Sequence, residues 1–144
     1  MAEITYISVD LEIESRSDLT PLLDELSDEI TVMYRGDGPR GGVASFQLPV
    51  DAEDPETDLS RLCSLIENLT EDSRRLWDEA MSRTFDLGYL SGTTPRNLRT
   101  LVQASTMERI AHLGGTFAIT IYPPSDDPLE DLEDATKPHG PGIG

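Results

Sequence analysis

Residues 7–14, ISVDLEIE, alternate without a break: Ile7, Val9, Leu11 and Ile13 are apolar, while Ser8, Asp10, Glu12 and Glu14 are polar or acidic. A period of two sends the first set to one face of a strand and the second to the other. The stretch therefore predicts a half-buried β-strand with an acidic outer face.

Working outward, residues 15–29 (SRSDLTPLLDELSDE) predict a short helix. Ser17 is the expected N-cap, Pro21 is tolerated in the first turn, and Leu19, Leu22, Leu23 and Leu26 form an i, i+3, i+4, i+7 stripe. In residues 29–50, Ile30, Val32 and Tyr34 alternate, RGDGPRGG intervenes, and Ala44, Phe46 and Leu48 alternate on the return, the pattern of a hairpin. A polar linker, DAEDPETD, leads into a helix from Leu59 to Leu69, and a second helix restarts at Thr70. A strand is expected over Arg83–Tyr89, the turn SGTTPR follows, and NLRTLVQ (97–103) is the expected partner strand. Ser105 and Glu108 have capping-box spacing for a helix that ends at Gly114 and Gly115, and TFAITIY (116–122) is the last strand. This order predicts an α+β fold: one domain over residues 1–124, with a mixed, mostly antiparallel sheet and helices packed on one face. The acidic, Pro/Gly-rich residues 125–144 are expected to be a disordered tail.

Bulk properties narrow the class. The 144 residues suffice for one core. No apolar run is long enough to span a bilayer, and the acidic, alternating start of the chain lacks a secretory signature. Cys63 is the sole cysteine, so neither a disulfide framework nor a thiolate cluster is expected within the chain. A soluble, cytoplasmic protein follows as an expectation. The net charge of −17 disfavours direct nucleic-acid binding and anionic membranes and favours basic partners. That charge is uneven. Residues 1–72 hold 18 acids and 4 arginines, whereas residues 73–123 hold 4 acids and 6 arginines, a net of +2.

No motif names a reaction, and the pattern favours a binding protein over an enzyme. RGDGPRGG lacks the strand-to-helix setting and terminal Lys-Ser/Thr of a phosphate loop, so its glycines are assigned to a hairpin turn. His112 and His139 form no metal-ligand spacing, and no metal or other cofactor is expected. Cys63 lies on the apolar side of a helix, the setting of an inert thiol. No serine sits in a nucleophile elbow, so no catalytic residue is assigned. The arginines of the second half (Arg74, Arg75, Arg83, Arg96, Arg99 and Arg109) are expected to act mainly as counter-charge to the acidic first half. The alternative groups Arg83, Arg96 and Arg99 as an anion site at the SGTTPR turn.

SRTFDLGYLSG, followed after a short expected strand by STMERIAHLGGTFAITIYP, resembles the C-terminal part of a bacterial family of small uncharacterised α+β proteins that carries the label DUF4279. A looser similarity extends to immunity proteins of contact-dependent toxin systems, many of them small, acidic and sheet-rich. Together with the charge, the resemblance implies an acidic protein-binding inhibitor, an immunity protein that neutralises a basic toxin or nuclease. The expected contacts are Asp10, Glu12 and Glu14 on the first strand, with Asp24 and Asp28 beyond it. The alternatives are a small anionic-ligand-binding domain or enzyme using the arginine-rich half, and a phage-type inhibitor of a defence nuclease. Whether the chain forms a homodimer is left open.

Overall fold

Strand β1 (Thr5–Ser15) realises the alternation from Ser8 onward: Val9, Leu11 and Ile13 are buried, whereas Asp10, Glu12 and Glu14 face the other way. Ile7, expected with the buried set, is 38% exposed, because the pairing with a neighbouring strand shifts between Tyr6 and Ser8. In a computed structural model that describes residues 3–49, 53–93 and 97–124, β1 is the central strand of a five-stranded open sheet. After β1 come helix α1 (Thr20–Leu26), the hairpin β2 (Thr31–Gly38) and β3 (Gly41–Gln47), and helices α2 (Pro55–Glu67) and α3 (Glu71–Glu79). Strand β4 (Ser82–Leu90), helix α4 (Ala104–His112) and strand β5 (Thr116–Tyr122) complete the chain. The spatial order is β2-β3-β1-β4-β5, antiparallel throughout except for the parallel pair β4/β5. The expected α+β architecture is the one observed.

The four helices lie on one face. Leu11, Ile13, Phe46, Phe85 and Leu87 of the sheet meet Leu22, Leu23 and Leu26 of α1, Leu59, Leu62, Cys63 and Ile66 of α2, Trp77 of α3 and Ile110 of α4. Trp77 is fully buried, stands edge-on to Phe85 at 6.2 Å, and donates its indole N–H to Leu113 O at 2.8 Å. That bond satisfies the one polar atom the ring takes out of water.

RGDGPRGG is the β2–β3 turn, with Gly38 paired to Gly41 around Pro39 and Arg40. Gly41 has φ +153°, and a Cβ there would stand 2.8 Å from Ser15 O, so glycine is required by both backbone and space.

Three local expectations need correction. Residues 97–103 form no strand; β4 is already flanked by β1 and β5, so both of its edges are taken. Ser17 does not cap α1, which starts at Thr20. Asp18 Oδ1 accepts from Thr20 N at 2.9 Å instead, and buried Leu19 fixes the entry of the chain. The capping box Ser105/Glu108 does not form either, because Ser105 lies inside α4. A carboxylate from another helix sits at the start of α4 instead: Glu56 of α2 accepts from the backbone N–H of Gln103, the residue before α4, at 2.8 Å and from the Thr106 hydroxyl at 2.7 Å. A carboxylate there also complements the positive end of the α4 dipole.

Glu56→Ala should therefore lower stability by about 1 kcal/mol in denaturant unfolding, the usual worth of a cap. Ser105→Ala should stay within about 0.5 kcal/mol. The reverse ranking would restore the local capping box.

Candidate functional site

The face of the sheet away from the helices carries the strand residues that the core does not use. β1 presents Ser8, Asp10, Glu12 and Glu14, β4 presents Ser82, Thr84, Asp86 and Gly88, and β5 presents Thr116, Ala118, Thr120 and Tyr122. Register sets Asp10 directly opposite Asp86. Facing positions on neighbouring strands hold their Cβ atoms about 4.5–5.5 Å apart, a separation at which like charges repel. Both oxygens of Asp86 lie 2.8 Å from Thr120 Oγ1, whose single proton serves one of them at a time.

Burial, then the charges of Asp86 and Glu12, push the Asp10 carboxyl up to about 6. Glu12 is also raised, by burial first and then by Glu14 and Asp86. The Tyr122 hydroxyl is raised by burial and by the charges of Asp10 and Asp86. Glu14 differs: Arg40 at 2.6 Å and Ser82 Oγ at 2.8 Å hold its carboxyl below the usual range. The arginines on the strands do not relieve this face. Arg35 pairs with Ala44 in register and lies near Asp18 and Thr20 at the start of α1, while Arg83 pairs with Ile13, so both sit on the helix side. Among the described residues, Arg40 is the one cation contacting this acidic row, at its Glu14 end.

The expected partner-binding residues thus separate into two groups. Asp10, Glu12 and Glu14 share the open face, with Glu14 already paired. Asp24 and Asp28 are exposed in the helix layer on the opposite side of the sheet. Asp86 joins the first group. Its alternation with Phe85 and Leu87 is a local pattern in the sequence, but its place opposite Asp10 depends on a long-range register.

The anion-site arginines are not assembled. Arg83 donates Nε to Gly114 O at 3.1 Å and Nη1 to the carbonyls of Trp77, Ala80 and Asp78 at 2.8, 3.0 and 3.3 Å. Its guanidinium lies 6.0 Å over the Trp77 ring. It thereby satisfies carbonyls at the C-terminal end of α3, a favourable place for a cation. Gly114, at φ +71°, leaves it room, since a Cβ there would come within 2.9 Å of Arg83 Nη2. Arg99 is exposed, and its neighbour Thr100 bonds the hydroxyl of Tyr89, which lies about 20 Å along β4 from Arg83. Arg96 lies outside the described residues.

Counter-charge pairing holds in part. Arg109 makes a two-pronged contact with Glu67 at 2.7 and 2.9 Å and reaches Ser60 and Ser64, joining α4 to α2. Arg74 and Arg75 pair within α3 with Asp78 and Asp72, members of their own helix.

Two further residues bear on chemistry. Burial pushes the Cys63 thiol up to about 11, so it is protonated at neutral pH. Asp58, buried in the first turn of α2, accepts the Tyr6 hydroxyl at 2.7 Å, and Tyr6 packs against Tyr89 at 5.6 Å between centroids. The sequence holds no local sign of Asp58, whose partner lies 52 residues away. No group of three or more His, Cys, Asp or Glu side chains suited to a metal ion occurs among the described residues.

Because Asp10 binds its proton more tightly folded than unfolded, it is neutral in both states well below pH 4 and ionised in both well above 6. Stability therefore falls as pH rises between those limits. Asp10→Asn should raise the melting temperature at pH 7.5 by about 3 °C and lose that advantage near pH 4; a pH-independent difference would refute the strain. Arg83→Gln should cost about 2 kcal/mol through unpaired carbonyls, and Arg99→Gln less than about 0.5 kcal/mol. Equal losses would contradict these separate environments. No protein-family model, curated protein or solved structure matches this chain.

Proposed function

We propose that this chain is a stoichiometric binding protein, an inhibitor of the immunity type directed at a basic toxin or nuclease, and that the open sheet face is its contact surface. The observation that carries this reading is the Asp10–Asp86 pair. Two carboxylates are held opposite each other, and the guanidinium groups of Arg35 and Arg83 are engaged on the other side of the sheet. A lysine or arginine arriving from a partner would pair with both and relieve their repulsion, so the contact gains more than an isolated surface ion pair does. The surrounding acids extend the field that steers a cationic partner toward them.

A carboxyl held near 6 could also serve as a general acid. An open sheet face does not wrap a small substrate, however, and ligand sites are ordinarily concave. A recess of about 240 Å³ lies at a different place, lined by Asp18, Arg35 and Val43 among others. Recognition of a large, basic surface suits the open acidic face better.

Affinity capture from bacterial lysate at about 50 mM and about 300 mM salt tests this. The wild-type chain should retain a basic protein at low salt and lose most of it at high salt. A chain carrying Asp10→Asn and Asp86→Asn should retain about tenfold less, while one carrying Asp24→Asn and Asp28→Asn should match wild type. A salt-insensitive complex, or one lost only with Asp24 and Asp28, would reject the open face as the contact.

A further inference from the structure

The two edges of the sheet are protected differently. An edge strand presents unpaired N–H and C=O groups, and proteins commonly blunt it with charges, bulges or proline. β2 carries such devices: Arg35 and Asp37 lie in it, and its pairing with β3 shifts between Val32 and Tyr34. β5 carries none. TFAITIY has no charge, glycine or proline, and it pairs with β4 through seven consecutive partners without a shift. Its β-branched and aromatic composition is that of an interior strand.

The side chains of β5 are unfinished in the same sense. Phe117, Ile119 and Ile121 lie opposite Phe85, Leu87 and Tyr89 on the helix-bearing face. The β4 residues are buried, whereas Ile119 and Ile121 are 56% and 58% exposed. The helix layer covers β4 but leaves these two isoleucines beside it open.

We infer that a second copy of this chain occupies the β5 edge, its own β5 running antiparallel across a two-fold axis at Ile119 to make a continuous ten-stranded sheet. The seven-residue strand has Ile119 at its midpoint, so full antiparallel overlap pairs Phe117 with Ile121 of the second copy and Ile119 with its equivalent. The same register pairs Thr116 with Tyr122 and Ala118 with Thr120. Every pair then shares a face, and six apolar side chains meet on the helix side, where each copy leaves its own isoleucines exposed.

Charge favours a copy at this edge over a copy elsewhere. With a net charge of −17, two chains repel over most of their surfaces, but the run Leu113–Pro124 that holds β5 carries no charged side chain. The interface uses the edge of the sheet and leaves Asp10 and Asp86 uncovered, so it stands independently of the proposed partner.

Sedimentation of the full chain at about 5–100 μM, the range in which an interface of modest size assembles, should show a species of twice 15.9 kDa. Ile119→Lys places a charge on an exposed side chain and should yield a monomer with an unchanged circular dichroism spectrum. Ile119→Cys should form an intermolecular disulfide on mild oxidation, because facing Cα atoms about 4.5–5.5 Å apart meet the needs of that bond. Val32→Cys, exposed on the opposite edge, should not. A monomer throughout that concentration range would overturn the assignment. So would a dimer that survives Ile119→Lys and cross-links through Val32→Cys, or a β5 edge protected from exchange only when a different protein is bound.

Discussion

The register between β1 and β4 is the constraint on which the rest of the molecule depends. Leu11 against Phe85 and Val9 against Leu87 place four large apolar side chains under the helices. Strands alternate strictly, so the pairing that buries them also sets Asp10 against Asp86 on the other side. A slip of one residue would separate the carboxylates, but it would turn the core outward. The dry face and the acidic face are consequences of one alignment, and burying four large apolar side chains outweighs the repulsion between two carboxylates. The irregularity between Tyr6 and Ser8 lies within the same pairing and lets Tyr6 reach Asp58.

Arginine in the second half of the chain serves structure in ways that its position in the sequence does not announce. Arg83 is a strand residue that reaches carbonyls around the end of α3 and at Gly114, so it links a helix, a strand and the approach to β5 through one guanidinium. Arg109 links α2 and α4 in the same way, through Glu67 and two serines. The fork of five donors suits both tasks in a way that a lysine ammonium does not. The excess of positive charge over residues 73–123 is thus partly used inside the fold, while the first strand turns its acids outward.

Two surfaces of different character remain. The open face is polar and charged; proximity and partial burial raise the Asp10 and Glu12 carboxyls, while Glu14 is paired with Arg40. The β5 edge is neutral and apolar; among the described residues no strand pairs with its outer side, and Ile119 and Ile121 are exposed. Ionic attraction governs the first and strand pairing governs the second, so they call for different kinds of contact. No described helix is long and apolar enough to cross a membrane.

Apart from the strand expected over 97–103, the sequence by itself determined the strand, helix and hairpin elements, the α+β class and the outward placement of Asp10, Glu12 and Glu14. These follow from local periodicity, which depends on neighbours two to four residues away. It also located Gly114 as a helix terminus, through the conformational freedom of that residue. Tertiary structure decided the strand order, the meeting of Asp10 with Asp86, the transfer of the α4 cap from Ser105 to Glu56, and the diversion of Arg83 from solvent to backbone carbonyls. It also left 97–103 without a strand, since β4 had no free edge to offer. Each of these rests on contacts between residues distant in the chain, whose geometry exists only once the core has closed and fixed the register.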